Sequence, residues 1–202
     1  MAKKKIKFTK GELKRQRDTL AQFRRYLPTL ILKQQQLQLE VRKTEATLKK
    51  CIAAIELIKK QIHSWVGLLS LPDIDLSAWV RPQNLVTSSL NIAGVNIPVF
   101  EKINFADLDY DLFIMPLWID PGIEIIRKLA ELIAQKDIIQ KQYDLLDREL
   151  KITMQRVNLF EKIKIPESEE NIRVIRIYLG DQQTNAVGRS KIAKKKIEKL
   201  LQ

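Results

Sequence analysis

Residues 13–65 read LKRQRDTLAQFRRYLPTLILKQQQLQLEVRKTEATLKKCIAAIELIKKQIHSW. Alternate steps of three and four from Leu13 land on Gln16, Leu20, Phe23, Leu27, Leu30, Gln34, Leu37, Val41, Thr44, Leu48, Cys51, Ile55, Ile58, Ile62 and Trp65. Most of these residues are apolar, and the register never slips. A seven-residue repeat of this kind keeps one helix face turned toward a partner helix. At about 1.5 Å per residue such a helix would run roughly 80 Å. That far exceeds an ordinary globular helix, so the partner must be equally long.

The partner lies near the other end of the chain. A second seam runs through Ile125, Leu129, Leu132, Lys136, Ile139, Tyr143, Leu146, Leu150, Thr153, Val157 and Phe160. Joined through a compact insertion, two such helices must run antiparallel. After Pro166 the seam resumes one residue out of phase, at Ile172, Ile175, Leu179 and Ala186. A phase shift beside a proline predicts a local loosening or a short non-helical step. The first helix has its own signals. Thr9 reads as an N-cap with Glu12 as the reciprocal residue of a capping box. Pro28 falls inside the pattern without disturbing its phase, which predicts a kink and not a break.

Between the helices the character changes. Pro72, Pro82, Pro98 and Pro116 fall between Gly67 and Ile119, and helical periodicity is lost. Leu90, Ile92, Val95, Ile97 and Val99 alternate around Ala93-Gly94, predicting a β-hairpin of about residues 86–92 and 95–103. Pro98 then belongs on a free edge. Trp65, Trp79 and Trp118 bracket the insertion and are expected to pack the hairpin onto the helix ends. Asp120-Pro121 reads as N-cap and first helical residue of the second long helix. The expected class is therefore mainly α: a long antiparallel two-helix coiled coil with a small hairpin-containing insertion. Its parts are an N-terminal helix (1–66), the insertion (67–119) and a C-terminal helix (120–202).

Composition agrees with thin helices and not a thick core. The 202 residues are 45% hydrophobic, only 6% aromatic and 30% charged. The net charge of +12 favours an acidic partner, whether protein, nucleic acid or anionic membrane. Antiparallel pairing is expected to bring the basic amino end (Lys3, Lys4, Lys5, Lys7, Lys10, Lys14, Arg15, Arg17) beside the basic carboxyl end (Arg189, Lys191, Lys194, Lys195, Lys196, Lys199). The insertion is expected at the opposite tip. Lys10, Lys14, Arg17, Lys191, Lys194 and Lys195 are the candidate partner contacts.

Candidate chemistry is sparse. The sequence contains neither a G-x-x-x-x-G-K-[ST] phosphate loop nor a G-x-G-x-x-G turn. Cys51 and His63 are the only residues of their kinds, too few for a zinc site. Cys51 lies on the seam, where a small buried hydrophobe fits, and His63 has no companion nucleophile or base. Asp73 and Asp75 form one acidic pair. Asp107, Asp109 and Asp111 resemble the start of a calcium loop, but Leu112 holds the turn-glycine position and Trp118 the closing-glutamate position, so the match fails. No catalytic, cofactor or metal site is expected. The basic amino terminus is not followed by an apolar stretch, and no apolar run approaches a membrane span, so a cytoplasmic chain without a span is expected.

Several motifs resemble the D-subunit family of the rotary V-type ATPases, the central-stalk shaft. Thr9-Lys10-Gly11-Glu12-Leu13 resembles the family's opening T-K-x-x-L, and Gly94-Val95-Asn96-Ile97-Pro98 its central G-V-x-x-P. Arg156-Val157-Asn158-Leu159-Phe160-Glu161 followed by Ile165-Pro166 resembles its R-V-N-A-L-E…I-P stretch, with Leu159 for alanine and Phe160 for leucine. Pro28 and Gln34-Gln35-Gln36 depart from most members. The resemblance implies a non-catalytic rotor shaft that transmits torque between the ATP chemistry of an A/B ring and proton or sodium transport. Its termini would stand inside the ring. A small F subunit would bind its flank, and a d/C-type subunit would couple its insertion end to the membrane proteolipid ring. The competing readings from residues alone are a basic coiled-coil nucleic-acid-binding or scaffold protein and a membrane-surface coiled coil. The latter would have only Ile192, Ile197, Leu200 and Leu201 as apolar anchors.

Overall fold

The computed structural model describes residues 6–67, 77–107 and 115–200. Lys3, Lys4, Lys5, Pro72, Asp73, Asp75, Asp109, Asp111, Leu112 and Leu201 lie outside the described residues. In chain order the elements are α1 (Lys10–His63), the short α2 (Ser77–Val80), β1 (Pro82–Ile92), β2 (Val95–Phe105), α3 (Ile119–Leu159), a π-turn (Phe160–Lys164) and α4 (Ile165–Leu200). The class is the one the seams predict: two long helical segments with a small antiparallel hairpin between them. The chain forms two compact units, residues 33–152 and residues 1–32 with 153–202.

In the 33–152 unit, α1 and α3 pack antiparallel, because later α1 residues meet earlier α3 residues. Leu37 and Val41 join Leu146 in one cluster, while Cys51 and Ile55 join Ile139 in another, flanked by Leu48, Leu129 and Leu132. Leu37 and Leu146 are fully shielded from solvent. At about 25 cal/mol per Å2, burying one such side chain stabilises by roughly 1.5–3 kcal/mol. Lys33 and Glu149 form a half-buried ion pair at 2.9 Å beside the first cluster.

The hairpin does not sit at the helix ends, as the tryptophans suggested; it lies back along the helix pair. Ile97, 4% exposed, belongs to the Leu37–Leu146 cluster, and Ile92, Ala93 and Val95 pack against it. Gln142 donates to the carbonyl of Pro98. At the hairpin's base, Arg127 donates to the carbonyls of Trp79 and Ala106 and lies 5.1 Å from the Phe105 ring centroid. Lengths explain this placement. Strands of 11 residues reach about 35 Å, close to the roughly 30 Å of helix between Arg127 and Leu146.

Both strands are longer than the alternation suggested, because register shifts at Pro82/Asn84 and Val86/Thr87 carry the pairing past irregular positions. The turn residues Ala93 and Gly94 both have positive φ (50° and 81°), the two-residue geometry that matches strand twist. Asn91 secures it: Oδ1 accepts from Gly94 N at 3.1 Å, and Nδ2 donates to Asn96 Oδ1 at 2.6 Å.

The start of α3 differs from its predicted cap by two residues. Gly122 N–H donates to the Trp118 carbonyl, so Trp118 is the capping position and Pro121 the third residue inside. Proline is tolerated there because the first-turn N–H groups have no intrahelical acceptor anyway. Asp120 then serves the helix through its first-turn charge. Trp65 and Trp118 converge on Gly122, where an added Cβ would stand 3.4 Å from Trp118 and 3.7 Å from Trp65.

In the other unit, the first turns of α1 pack antiparallel on α4. Phe8 stacks on Tyr178 with centroids 4.9 Å apart, and Phe23 meets Phe160 at 5.0 Å. Gln16 accepts from Asn171 at 3.5 Å, and Arg24 bridges to Glu169 at 2.6 Å. Val157, Ser168, Ile172 and Ile175 are buried. Thr9 caps α1 as predicted, with Oγ1 accepting from Glu12 N at 3.2 Å. Glu12, expected to reach back to Thr9, instead accepts from Gln16 at 2.8 Å and pairs with Arg15. Helix α1 continues through Pro28 without a break.

Candidate partner-contact surfaces

Every position of the first seam from Leu13 to Trp65 is buried or half-buried. Leu37, Val41 and Ile55 are buried, while Leu20, Leu27 and Leu48 are half-buried. On the partner side Leu146 and Val157 are buried, and Leu132 and Leu150 half-buried. Cys51 Sγ donates to the Leu132 carbonyl at 3.5 Å, and burial pushes its thiol pKa up despite nearby Lys136, so it packs as an apolar group. His63 is exposed at the end of α1.

The phase shift near Pro166 has a direct structural cause. Ile165 N–H donates five residues back, to Phe160, making one turn of π-helix over Phe160–Lys164. A π-turn holds one extra residue, which moves every later seam position on by one. Thr153 and Val157 are buried before it, and Ser168, Ile172 and Ile175 after it. Pro166 explains why the turn widens here, since its ring would crowd the carbonyl four residues earlier in a regular α-helix. No non-helical step is needed.

This π-turn lies inside the Arg156–Glu161, Ile165-Pro166 motif. Val157 faces the core, whereas Arg156, Asn158 and Glu161 are exposed, as are Met154, Leu159 and Ile163. The polar motif residues therefore form surface around the widened turn.

Among the described residues the basic ends do not lie side by side. Phe8 meets Tyr178, so Lys10, Lys14 and Arg17 stand level with the α4 segment before Gly180. Lys191, Lys194 and Lys195 lie more than ten residues further along α4. The packed seam stops at Leu179, and every residue from Gly180 to Lys199 is exposed, Ala186 included. The reason is register: among the described residues α1 offers no turn beyond Lys10 to cover this stretch. Heptad spacing in one helix could not reveal where its partner begins.

The large apolar residues on this stretch are Val187, Ile192 and Ile197, between 55% and 59% exposed, and the small Ala186 and Ala193 are exposed too. Five-residue spacing turns each of these three about 140° from the last, so Val187, Ile192 and Ile197 are spread around the helix.

Arginine is the feature that sequence spacing missed. Arg17 and Arg24 of α1 and Arg173 and Arg176 of α4 line one groove, because the antiparallel register superposes two separate basic patches. Arg173 forks onto Glu170 at 2.7 and 2.8 Å, and that hydrogen bond raises its pKa further.

No group of three or more His, Cys, Asp or Glu side chains among the described residues is arranged to hold a metal ion. None of the described helices is long and apolar enough to cross a membrane.

Comparison with known proteins matches these features to one family. The family of ATP synthase D subunits matches residues 12–195. The chain is similar to the V-type ATP synthase D subunit of Borreliella burgdorferi, 48% identical over 195 residues covering 96% of each chain. It is 34% identical to the same-named protein of Chlamydia muridarum, again over 96% of each. For Chlamydia abortus identity is 31%, covering 96% of this chain and 94% of the relative. With its paired helical seam, hairpin insertion and motif-bearing π-turn, the chain belongs to the ATP synthase D-subunit family, the non-catalytic central-stalk subunits of rotary V-type ATPases.

Proposed function

We propose that this chain is the torque-bearing shaft turning within a ring of catalytic A and B subunits. A small F subunit binds its flank, and a d/C-type subunit links it to the membrane proteolipid ring that moves protons or sodium ions. The chain stays in the cytoplasm, peripheral to the membrane, and takes part in ATP synthesis or hydrolysis only by mechanical transmission. Lys10, Lys14, Arg17, Lys191, Lys194 and Lys195 are proposed contacts with the ring.

The observation that carries this reading is the exposed Gly180–Lys199 stretch of α4, with the large apolar residues Val187, Ile192 and Ile197 distributed around its circumference. A helix enclosed by a ring meets protein on all sides, and a helix docked on one surface does not. Its lysines suit turning as well. Exposed ion pairs contribute about 0–1 kcal/mol each, so they can break and reform between dwell angles. A rotating asymmetric rod presents different contacts to each catalytic pair, and differential contact free energy biases each site between open and closed states. A seam packed along α1 resists twisting.

The test is reconstitution of an A/B ring with the chain, followed by single-particle rotation with a bead on the insertion end. ATP-driven rotation and a change in ring ATPase activity are the expected results. A ring whose elution and ATPase activity ignore the chain refutes the proposal.

A further inference from the structure

Within the unit formed by residues 1–32 and 153–202, the arginine groove between α1 and α4 has a volume of about 730 Å3. Four arginines surround it, and a single carboxylate, Glu169, enters it. That carboxylate is held by Arg24 at 2.6 Å, in a pair whose side chains are 62% and 47% exposed. Arg17 and Arg176 form no ion pair among the described residues. The floor is aliphatic: Leu20 is half-buried, Ile172 is 7% exposed and Ile177 is 54% exposed.

We propose that this groove receives an acidic segment of a ring subunit, and that Glu169 is an internal stand-in which the incoming carboxylate displaces from Arg24. The inference rests on the shaft reading and adds the chemistry of one contact. Guanidinium forks match carboxylates in a planar, two-point geometry, and two of the four forks await such a partner. The aliphatic floor accepts an apolar side chain lying between the acidic ones. Exchange of one exposed carboxylate for another is nearly balanced, so the shaft can release one ring subunit and engage the next without a deep trap.

The groove's chemistry disfavours nucleic acid. Its floor has no aromatic ring on which a base could stack, and the rings nearby are engaged with each other as Phe8–Tyr178 and Phe23–Phe160. Glu169 and Glu170 would also repel a continuous phosphate backbone.

The test measures affinity of the full chain for the A/B ring across a salt series, with circular dichroism to verify folding. The double variant Arg17→Gln/Arg176→Gln is expected to bind about five- to thirtyfold more weakly, with a shallower salt dependence. Glu169→Gln is expected to bind the ring more tightly, because the competitor is gone. A purely structural Arg24–Glu169 pair would instead lower thermal stability with no gain in affinity, which overturns the displacement. Folded arginine variants that bind like wild type overturn the groove itself. Duplex DNA retained by wild type and lost by the arginine variants, with ring binding unchanged, also overturns it. A wild-type chain that ignores the ring refutes the shaft reading, a different outcome from wild-type binding with unaffected variants.

Discussion

Thr153 sits on the α3 seam, 1% exposed, and its Oγ1 is a buried side-chain oxygen without a hydrogen-bond partner. A buried hydroxyl that no protein group pairs costs about 1–3 kcal/mol. Thr153→Val replaces the hydroxyl with a methyl of nearly the same shape, and the two residues have similar helix propensity. The variant should therefore be more stable by about 1–2 kcal/mol, or roughly 2–8 °C in Tm for a chain of this size. Thr153→Ser keeps the orphan hydroxyl and deletes the packed methyl, so it should lose about 1 kcal/mol. Urea unfolding followed at 222 nm checks the order Val, wild type, Ser, with midpoints compared at unchanged m-value. A valine variant less stable than wild type would refute the reasoning. It would mean that the hydroxyl finds a partner, such as a buried water, and that the seam contains no defect at this position.

Two other outcomes follow from the geometry. Arg127→Met removes donors from the Trp79 and Ala106 carbonyls at the hairpin base, with an expected loss of about 1–3 kcal/mol and faster proteolysis within residues 77–107; Arg127→Lys should restore only part of it, since lysine lacks the fork, and unchanged proteolysis would remove Arg127 as the fastener. Deleting Lys162 together with Pro166→Ala should give a folded chain of near wild-type helicity, because one residue fewer merges the two phases of the seam, whereas inserting one alanine after Lys162 should turn Ser168, Ile172 and Ile175 about 100° away from α1 and lower the melting temperature clearly; equal effects of deletion and insertion would rule out the phase explanation.

Much of the fold was legible because seven-residue spacing directly reports which helix face is buried. Leu37, Cys51, Ile55, Leu146 and Val157 all lie where the seams placed them. The one-residue slip after Phe160 was equally visible, but its physical form was not, since a loop and a widened turn leave the same trace in sequence. The hairpin's existence followed from alternation around Ala93-Gly94. Its resting place did not, because Leu90 and Ile97 look alike in sequence, yet Leu90 is 51% exposed and Ile97 is 4% exposed. The two stand opposite each other on one face of the hairpin, so burial there depends on which strand lies against Leu37 and Leu146, a long-range fact. The stagger of the basic ends was hidden for a related reason. Periodicity fixes rotation about a helix axis and leaves translation along it free, so nothing in the spacing could tell that α4 outruns α1 past Tyr178.

That stagger changes what the positive charge can do. Two lysine-rich ends side by side would make one dense cluster, which strengthens long-range attraction but binds at whatever angle the partner first meets. Staggered, the charge divides into two chemically distinct zones in the same unit. One is the arginine groove at Arg17, Arg24, Arg173 and Arg176, where fork geometry selects a direction of approach. The other is the lysine stretch beyond Gly180, where compact, freely turning ammonium groups surround a bare helix. A shaft needs both kinds of contact: one that reads angle, so that each catalytic pair is addressed in turn, and one indifferent to angle, so that the axis stays centred. Arginine and lysine differ in this respect: arginines line the groove, and beyond Gly180 lysine predominates, with Arg189 as the one guanidinium. The two zones should accordingly separate in experiment. Charge removal in the groove should alter the pattern of pausing angles, while charge removal on the tail should weaken retention in the ring at every angle alike.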